Sequence, residues 1–354
     1  MNPFDYIRPT SVAEAISEAA HPGSAYLAAG TNLLDLMKIG ASRPQKLIDI
    51  TKLPGLDRIE WLADGSVHIG SMVRNADLAY DTRFAKVFPA VAEALLSGAS
   101  AQLRNVASVG GNLMQRTRCS YFQDVASACN RRAAGSGCDA LHGENRSHAI
   151  LGWSEHCIAV HSSDFCVALV ALDAIVEVAG PSGKREISLE SLHRLPGEGA
   201  LGAETALEPG ELITGLRIPA AAAAFAGHGR YLKLRERTSF AFAVVSVAAA
   251  LEIADGTIVE ARIALGGVAA KPWRAHEAEA LLVGKSPNAE AFAKAADLAL
   301  ADARPSGEAN AFKIELARRI VRRGLDLASD GTPAVMPALP GSPFSTLSGA
   351  NHAA

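Results

Sequence analysis

An α+β protein of two domains with a tail is what this 354-residue sequence predicts, and three observations predict it. Through residues 1–219 short strand signals alternate with helical patterns. Within residues 225–328 the Asp255-Gly256 dipeptide, at ease at positive φ, divides two strand-length apolar runs, as a two-residue hairpin requires. Beyond that hairpin come two helical patterns, and then residues 329–354, rich in Pro, Gly, Ser and Ala and almost without charge.

In chain order, residues 46–50 and 67–70 read as strands, and residues 88–96 as a helix in which Val91 and Leu95 fall one turn apart. Residues 116–157 show little periodicity and many Cys, Arg, Gly and Ser, so they read as an inserted loop that a ligand orders. Pro219 and the alanines after it suggest a linker or a frayed helix start. Strands at 241–253 and 257–265 form the hairpin, and helices follow at 275–283 and 309–327. The last of these places Phe312, Leu316 and Ile320 on a stripe that should pack across the sheet, opposite Arg318, Arg322 and Arg323. That basic face is a candidate partner surface or a solvated one. Residues 329–354 read as a flexible or partner-bound tail.

Composition limits the function. At 49% hydrophobic the chain can bury a full core. A net charge of -3, from 34 Lys+Arg against 37 Asp+Glu, gives bulk charge no role in recruiting nucleic acid or an anionic membrane. The opening MNPFDYIRPT lacks a basic and an apolar region, and Asp173 and Glu177 break the apolar run at 168–179. The expectation is a chain with neither export signal nor membrane span of its own. Five cysteines in so long a chain fit a reducing compartment better than a disulfide scaffold.

Two glycine loops carry the first chemical signal. In Ala28-Ala29-Gly30-Thr31-Asn32-Leu33-Leu34, Gly30 lets the backbone approach a phosphate, Thr31 and Asn32 offer donors, and a helix opening near Asn32 would aim N–H groups at the anion. Ser108-Val109-Gly110-Gly111-Asn112 repeats that chemistry. Each alone is equally a capped turn; two converging on one diphosphate are harder to explain so. Neither is G-x-G-x-x-G, and no acidic residue stands at the ribose offset, which disfavours a nicotinamide-type Rossmann unit.

The second signal is Cys119, Cys129, Cys138 and Cys157, separated by nine, eight and eighteen residues. A structural zinc site usually holds C-x2-4-C knuckles, and none occurs here. Four thiolates on an open loop suit an iron-sulfur cubane, with zinc, free thiols and disulfides as the alternatives. Arg116, Arg118, Arg131, Arg132 and Arg146 outnumber Asp124, Asp139 and Glu144, as compensation of a negative cluster would require. Cys166, in an apolar run, reads as a small buried thiol. His142, His148, His156 and His161 are scattered through the region and read as surface or neighbouring groups, with no assignable acid-base set.

The stretches LAAGTNLLD (27–35), SVGGN (108–112), Ser163-Asp164, PGELI (209–213), Lys233 in YLKLRERTSFAFAVVSVA, and LGGVAAKPWRA (265–275) resemble the FAD-binding (medium) subunit of the molybdenum hydroxylase / xanthine dehydrogenase family, over residues 1–328. QRTRCSYFQD, CNRRAAGSGCDALHGENRSHAILG and CIAVHSSD especially resemble the flavin subunit of periplasmic aldehyde oxidoreductase, whose inserted loop holds a 4Fe-4S cluster.

The resemblance implies a two-part vanillyl-alcohol-oxidase-type (PCMH-type) FAD domain at 1–219 with the cysteine loop 116–157 inserted, and a C-terminal α+β domain of the CO dehydrogenase flavoprotein type at 225–328. It implies FAD contacts from Ala28 to Leu34 and from Ser108 to Asn112, with Asp164, Ile213 and Lys233 lining other parts of the site, and the four loop cysteines on the 4Fe-4S cluster. The sequence departs at Ala29, where the family commonly has glycine; alanine fits only at negative φ. No catalytic residue is expected here. Substrate would be oxidised at a molybdenum cofactor on a large partner, and a small partner with two 2Fe-2S clusters would deliver electrons to FAD for an external acceptor. Alternatives are the flavin subunit of a 4-hydroxybenzoyl-CoA reductase or xanthine dehydrogenase-type enzyme, a stand-alone flavin oxidase, or a cluster-binding regulatory module. The compartment is expected to be the periplasm if a signal-bearing partner exports the folded chain, and the cytoplasm otherwise.

Overall fold

Three sheets organise residues 1–334, the part of the chain that the computed structural model describes. The first is small and parallel: β1 (Asp5–Ile7), β2 (Ser24–Leu27) and β3 (Lys46–Asp49) lie in the order β1-β3-β2. Its apolar side chains, Ile48 with Ile50 and Leu53, form a core of their own with Ala15 from the helix Val12–Ala19. That helix starts at Ser11, whose hydroxyl accepts from the Glu14 amide.

The second sheet is antiparallel and comes from distant stretches: β4 (Ile59–Trp61), β5 (Val67–Gly70), β6 (Ile175–Gly180), β7 (Gly183–Ser188) and β8 (Leu212–Ile218), in the order β4-β5-β8-β6-β7. Its apolar face packs on the helices Pro89–Ser97 and Asp164–Ala171 in the largest core cluster. Between β5 and β6 runs the helical and irregular chain that carries the second glycine loop and all four loop cysteines.

β9 (Gly229–Leu234), β10 (Val245–Ala254), β11 (Thr257–Gly266) and the short β12 (Trp273–Arg274) make the third sheet, order β12-β11-β10-β9, antiparallel throughout. Asp255 and Gly256 sit at φ 51° and 72°, the pair of positive values that a type I′ turn demands. Side-chain alternation along β10 buries both faces. Val245, Val247, Ala249 and Leu251 belong to the core under the helix Phe312–Ser329, while Ala248 and Ala250 join the core of the first domain. Gly324 lets that helix come close, since a Cβ there would meet Val247 Cγ1 at 2.7 Å.

Three expectations shift. The helix buries Lys313, Ala317, Ile320, Val321 and Leu325, so the core stripe is rotated by about one residue from Phe312-Leu316-Ile320, and Phe312 instead lines a cleft. The expected strand at 241–253 begins only at Val245, because residues 241–244 turn to the cleft wall. The stretch read as a linker or a frayed helix start is a 3-10 helix, Ala220–Gly227. Of the expected tail, Ser329 ends the last helix and Thr332 is tied to Gly227 and Gly229 at the start of β9. Residues 335–354 lie outside the described residues.

A flavin-type cleft with a cysteine pocket on its wall

The two glycine loops meet. Gly30 adopts φ +76°, and the Leu34 side chain folds back to 2.6 Å from where a Cβ would stand, so glycine is needed twice over. Ala29 is not among the residues at positive φ, which is how the chain tolerates alanine there. In the second loop Ser108 caps the helix Val109–Leu113 by accepting from Gly111 N at 3.2 Å. Gly110 lies against Ser71 behind the loop, while a Cβ on Gly111 would stand 3.9 Å from that of Ala28 in the first loop. Asn32 Oδ1 accepts the Arg116 amide at 3.0 Å, joining the first loop to the chain just after the second.

Between the loops and the C-terminal sheet lies a cleft of about 810 Å³, lined by Thr31, Asn32, Gly111, Asn112, Asp164 and Lys233 among others. Six polar atoms of its lining residues are buried without a partner: Asn32 Nδ2, Asn75 Oδ1, Arg104 Nε, Arg118 Nε, His148 Nδ1 and Ser246 Oγ. Buried polar groups are seldom left unpaired, so this donor-rich cleft fits a large polar ligand. A dinucleotide threaded between the glycine turns meets that description.

Asp164 and Lys233 close one end. Their side chains are 7% and 3% exposed and meet at 2.8 Å. Tyr231 donates to the other carboxylate oxygen at 2.6 Å, and Lys233 also donates to Ser97 O at 3.1 Å. Burial first, then the Asp164 carboxylate, push the Tyr231 phenol well above its ordinary range, so Tyr231 is a fixed donor. Lys233 is therefore buried in an ion pair, and Ser163 caps the helix Asp164–Ala171. Ser163 Oγ also donates to Asn112 Oδ1 at 2.7 Å, coupling this end to the second glycine loop. Ile213 stands opposite Val178 in β8, and its side chain packs in the main core.

The cysteine loop supplies another wall: Arg118, Cys119 and His148 line the same cleft. All five cysteines are free. Cys129 and Cys138 face each other across an isolated antiparallel bridge, and Cys157 pairs likewise with Ser154. Cys157 Sγ accepts from Arg131 Nε at 3.2 Å and Ala159 N at 3.4 Å, while Cys119 Sγ lies 3.2 Å from His148 Nε2. Burial drives the Cys119 thiol up to about 11; the nearby Cys157 and Cys129 sulfurs add to this, and the amides of Phe122 and Tyr121 oppose it. Cys138 is raised chiefly by burial too, opposed by the amides of Ile158, Ala140 and Leu141. Backbone amides and the Arg131 guanidinium are thus aimed at the loop sulfurs, an arrangement that a metal centre held by thiolates would use. Among the described residues the one His/Cys/Asp/Glu trio with ligand atoms within 4.8 Å of one another is His161, Cys166 and His193, not the loop cysteines.

Two of the loop's five arginines brace the backbone and two stack on rings. Arg132 donates to Tyr121 O and Phe122 O, Arg116 to Arg131 O, and Arg118 and Arg146 stack on Phe242 and Phe312. Only Arg131 touches a sulfur directly among these contacts. Glu204, far along the chain, neutralises both Arg116 and Arg131. Lys313 is the other residue that sequence reasoning missed: fully buried, it donates to Ser147 O, His148 O and Gly267 O at 3.1, 2.7 and 2.6 Å. Cys166 is buried, its thiol raised to about 12 by burial. His142 and His156 are exposed.

A two-domain protein with a dinucleotide cleft between converging glycine turns and a C-terminal sheet is, by class, a flavin-binding protein. Residues 2–221 match the model of the FAD binding domain in molybdopterin dehydrogenase, and residues 230–328 that of the CO dehydrogenase flavoprotein C-terminal domain. The chain belongs to the FAD-binding medium subunits of the molybdenum hydroxylase family. It is 48% identical to the aldehyde oxidoreductase FAD-binding subunit PaoB of Escherichia coli (strain K12), over 90% of this chain and 96% of that one. Identity to the carbon monoxide dehydrogenase medium chain of Hydrogenophaga pseudoflava is 30%, over 92% and 96%. The structure of reconstituted CO dehydrogenase from Oligotropha carboxidovorans superposes with a TM-score of 0.73 at 27% identity, covering 94% of this chain and 100% of that one. The chain is thus the medium subunit of a multi-subunit oxidoreductase.

Proposed function

We propose that this chain is the FAD-binding electron-transfer subunit of a molybdenum-containing aldehyde oxidoreductase, and that Cys119, Cys129, Cys138 and Cys157 hold a 4Fe-4S cluster. One observation carries the reading: the two glycine turns and one of the four loop cysteines line the same cleft, with Asn32, Gly111, Asn112 and Cys119 all on its walls. The aldehyde assignment rests on the likeness to PaoB.

The chemistry that FAD supplies when bound is exchange between one-electron carriers and a two-electron acceptor. The chain's own residues do the rest. Gly30 and Gly111 admit a phosphate to the backbone, Thr31, Asn32 and Asn112 offer donors to it, and the Asp164–Lys233 pair fixes charge at the far end. The loop sulfurs hold iron beside that cleft, braced by Arg131 and by backbone amides.

The partners in this reading are a large subunit with the molybdenum cofactor, where the aldehyde is oxidised, and a small one with two 2Fe-2S clusters. Export, where it happens, follows folding and rides on a partner's signal; among the described residues no helix is long and apolar enough to cross a membrane. Purification of the complex tests the assignment. The expected result is about one noncovalent FAD per chain and about four iron and four sulfide beyond the partners' clusters, as a cubane requires. Zinc in place of iron, or loss of the cluster in Cys166→Ala alone, would overturn the cluster; a complex that does not oxidise aldehydes would overturn the substrate class.

A further inference from the structure

His148 is buried at 3% exposure, and its Nε2 stands 3.2 Å from the sulfur of Cys119. The ring's other nitrogen, Nδ1, is buried with no partner. A neutral imidazole carries one N–H, and placing it on Nδ1 would strand a buried donor, whereas placing it on Nε2 gives it the sulfur as acceptor. The ring is held for that contact. His148 N donates to Asn145 O at 2.9 Å, and His148 O accepts from Lys313 Nζ at 2.7 Å and Asn310 Nδ2 at 3.3 Å, so a helix of the C-terminal domain fixes a residue of the cysteine loop. Both His148 and Cys119 line the flavin cleft.

We propose that His148 is a positioning residue that donates Nε2–H to the Cys119 sulfur and thereby raises the reduction potential of the cluster at its cleft-facing ligand. This rests on the cluster reading above. An N–H aimed at a ligating sulfur stabilises the extra negative charge of the reduced cluster more than the charge of the oxidised one, which moves the potential upward. The contact sits on the side from which electrons would pass to or from the flavin, so it biases where they rest.

EPR-monitored redox titration of the purified complex tests this, followed through the signal that Cys129→Ser abolishes. His148→Leu removes the donor and is expected to shift the midpoint to more negative potential. His148→Gln, which keeps an N–H near the Nε2 position, is expected to stay close to the wild type. Equal potentials in wild type and His148→Leu, with iron content unchanged, would overturn the inference and leave the cluster intact. Loss of iron from both variants would also overturn it, by making the imidazole a structural support only. Loss from His148→Leu alone, with His148→Gln at the wild-type potential, supports it. A wild-type complex without this chain's iron refutes the cluster assignment itself, an outcome distinct from all of these.

Discussion

Asp164 and Lys233 meet at 2.8 Å across the boundary between the two domains, one at the start of a first-domain helix and the other on β9 of the C-terminal sheet. A buried ion pair adds little stability when whole, because desolvation offsets its attraction, but removing one partner strands the other charge. Lys233→Met is therefore expected to cost about 3 kcal/mol or more in chemical denaturation. The Asp164→Asn, Lys233→Met double variant should recover part of that loss. Additive losses in the double-mutant cycle would show that the two side chains do not act as a pair.

Gly111→Val is expected to empty the cleft. Its β-carbon would stand 3.0 Å from Ser108 Oγ, which caps the loop helix, and would face the first glycine loop at Ala28. A branched side chain there blocks backbone approach to a phosphate. FAD content of the purified complex should fall at least tenfold, an estimate from the size of a lost anion site. Normal flavin content would remove the second glycine loop from the binding site.

The glycine loops and the cysteines were legible in the sequence because their chemistry is local: a turn needs its glycine and a loop displays its thiols in order. The hairpin was legible for the same reason, Asp255-Gly256 being at ease in the positive φ that both residues adopt. A motif gives no direction for a side chain, and at Ile213 the pleat of β8 turns it into the core. Glu204 and Lys313 escaped because each acts through a partner brought near only by folding; Lys313 reaches His148 across 165 residues. The rotated stripe of the last helix has a related cause. A buried lysine looks polar in sequence and so is assigned to the outer face, yet three carbonyls await its ammonium inside.

Lys313→Met tests that anchor. Burial pushes the Lys313 amine down to about 7, while the three carbonyls match the three hydrogens of the ammonium. Methionine fills the space but leaves those carbonyls without their donor, at a cost of about 3 kcal/mol. Hydrogen exchange should quicken at residues 145–149 beyond the global change. Unaltered protection of that segment would show that the loop is held by other contacts.

Acid should weaken the protein through a pair of histidines beside the cleft. His193 is buried, donating to Leu113 O at 2.8 Å, and burial pulls its imidazole down to about 4. His161, its ring 4.2 Å from that of His193, is lowered well below the usual value, first by burial and then by His193 itself. Both folded-state values lie below the unfolded value of about 6.5, so as pH falls through 6.5 the unfolded chain takes up protons that the folded one refuses. The stability these neutral rings allow is complete above pH about 6.5 and is lost progressively toward pH about 4. For His193 alone the loss between about pH 7 and pH 5 is about 2 kcal/mol. His193→Gln keeps a donor for Leu113 O and cannot titrate, so its denaturation midpoint should fall less steeply over that interval than the wild type's. An identical slope in the two proteins would place the acid sensitivity elsewhere than at His193.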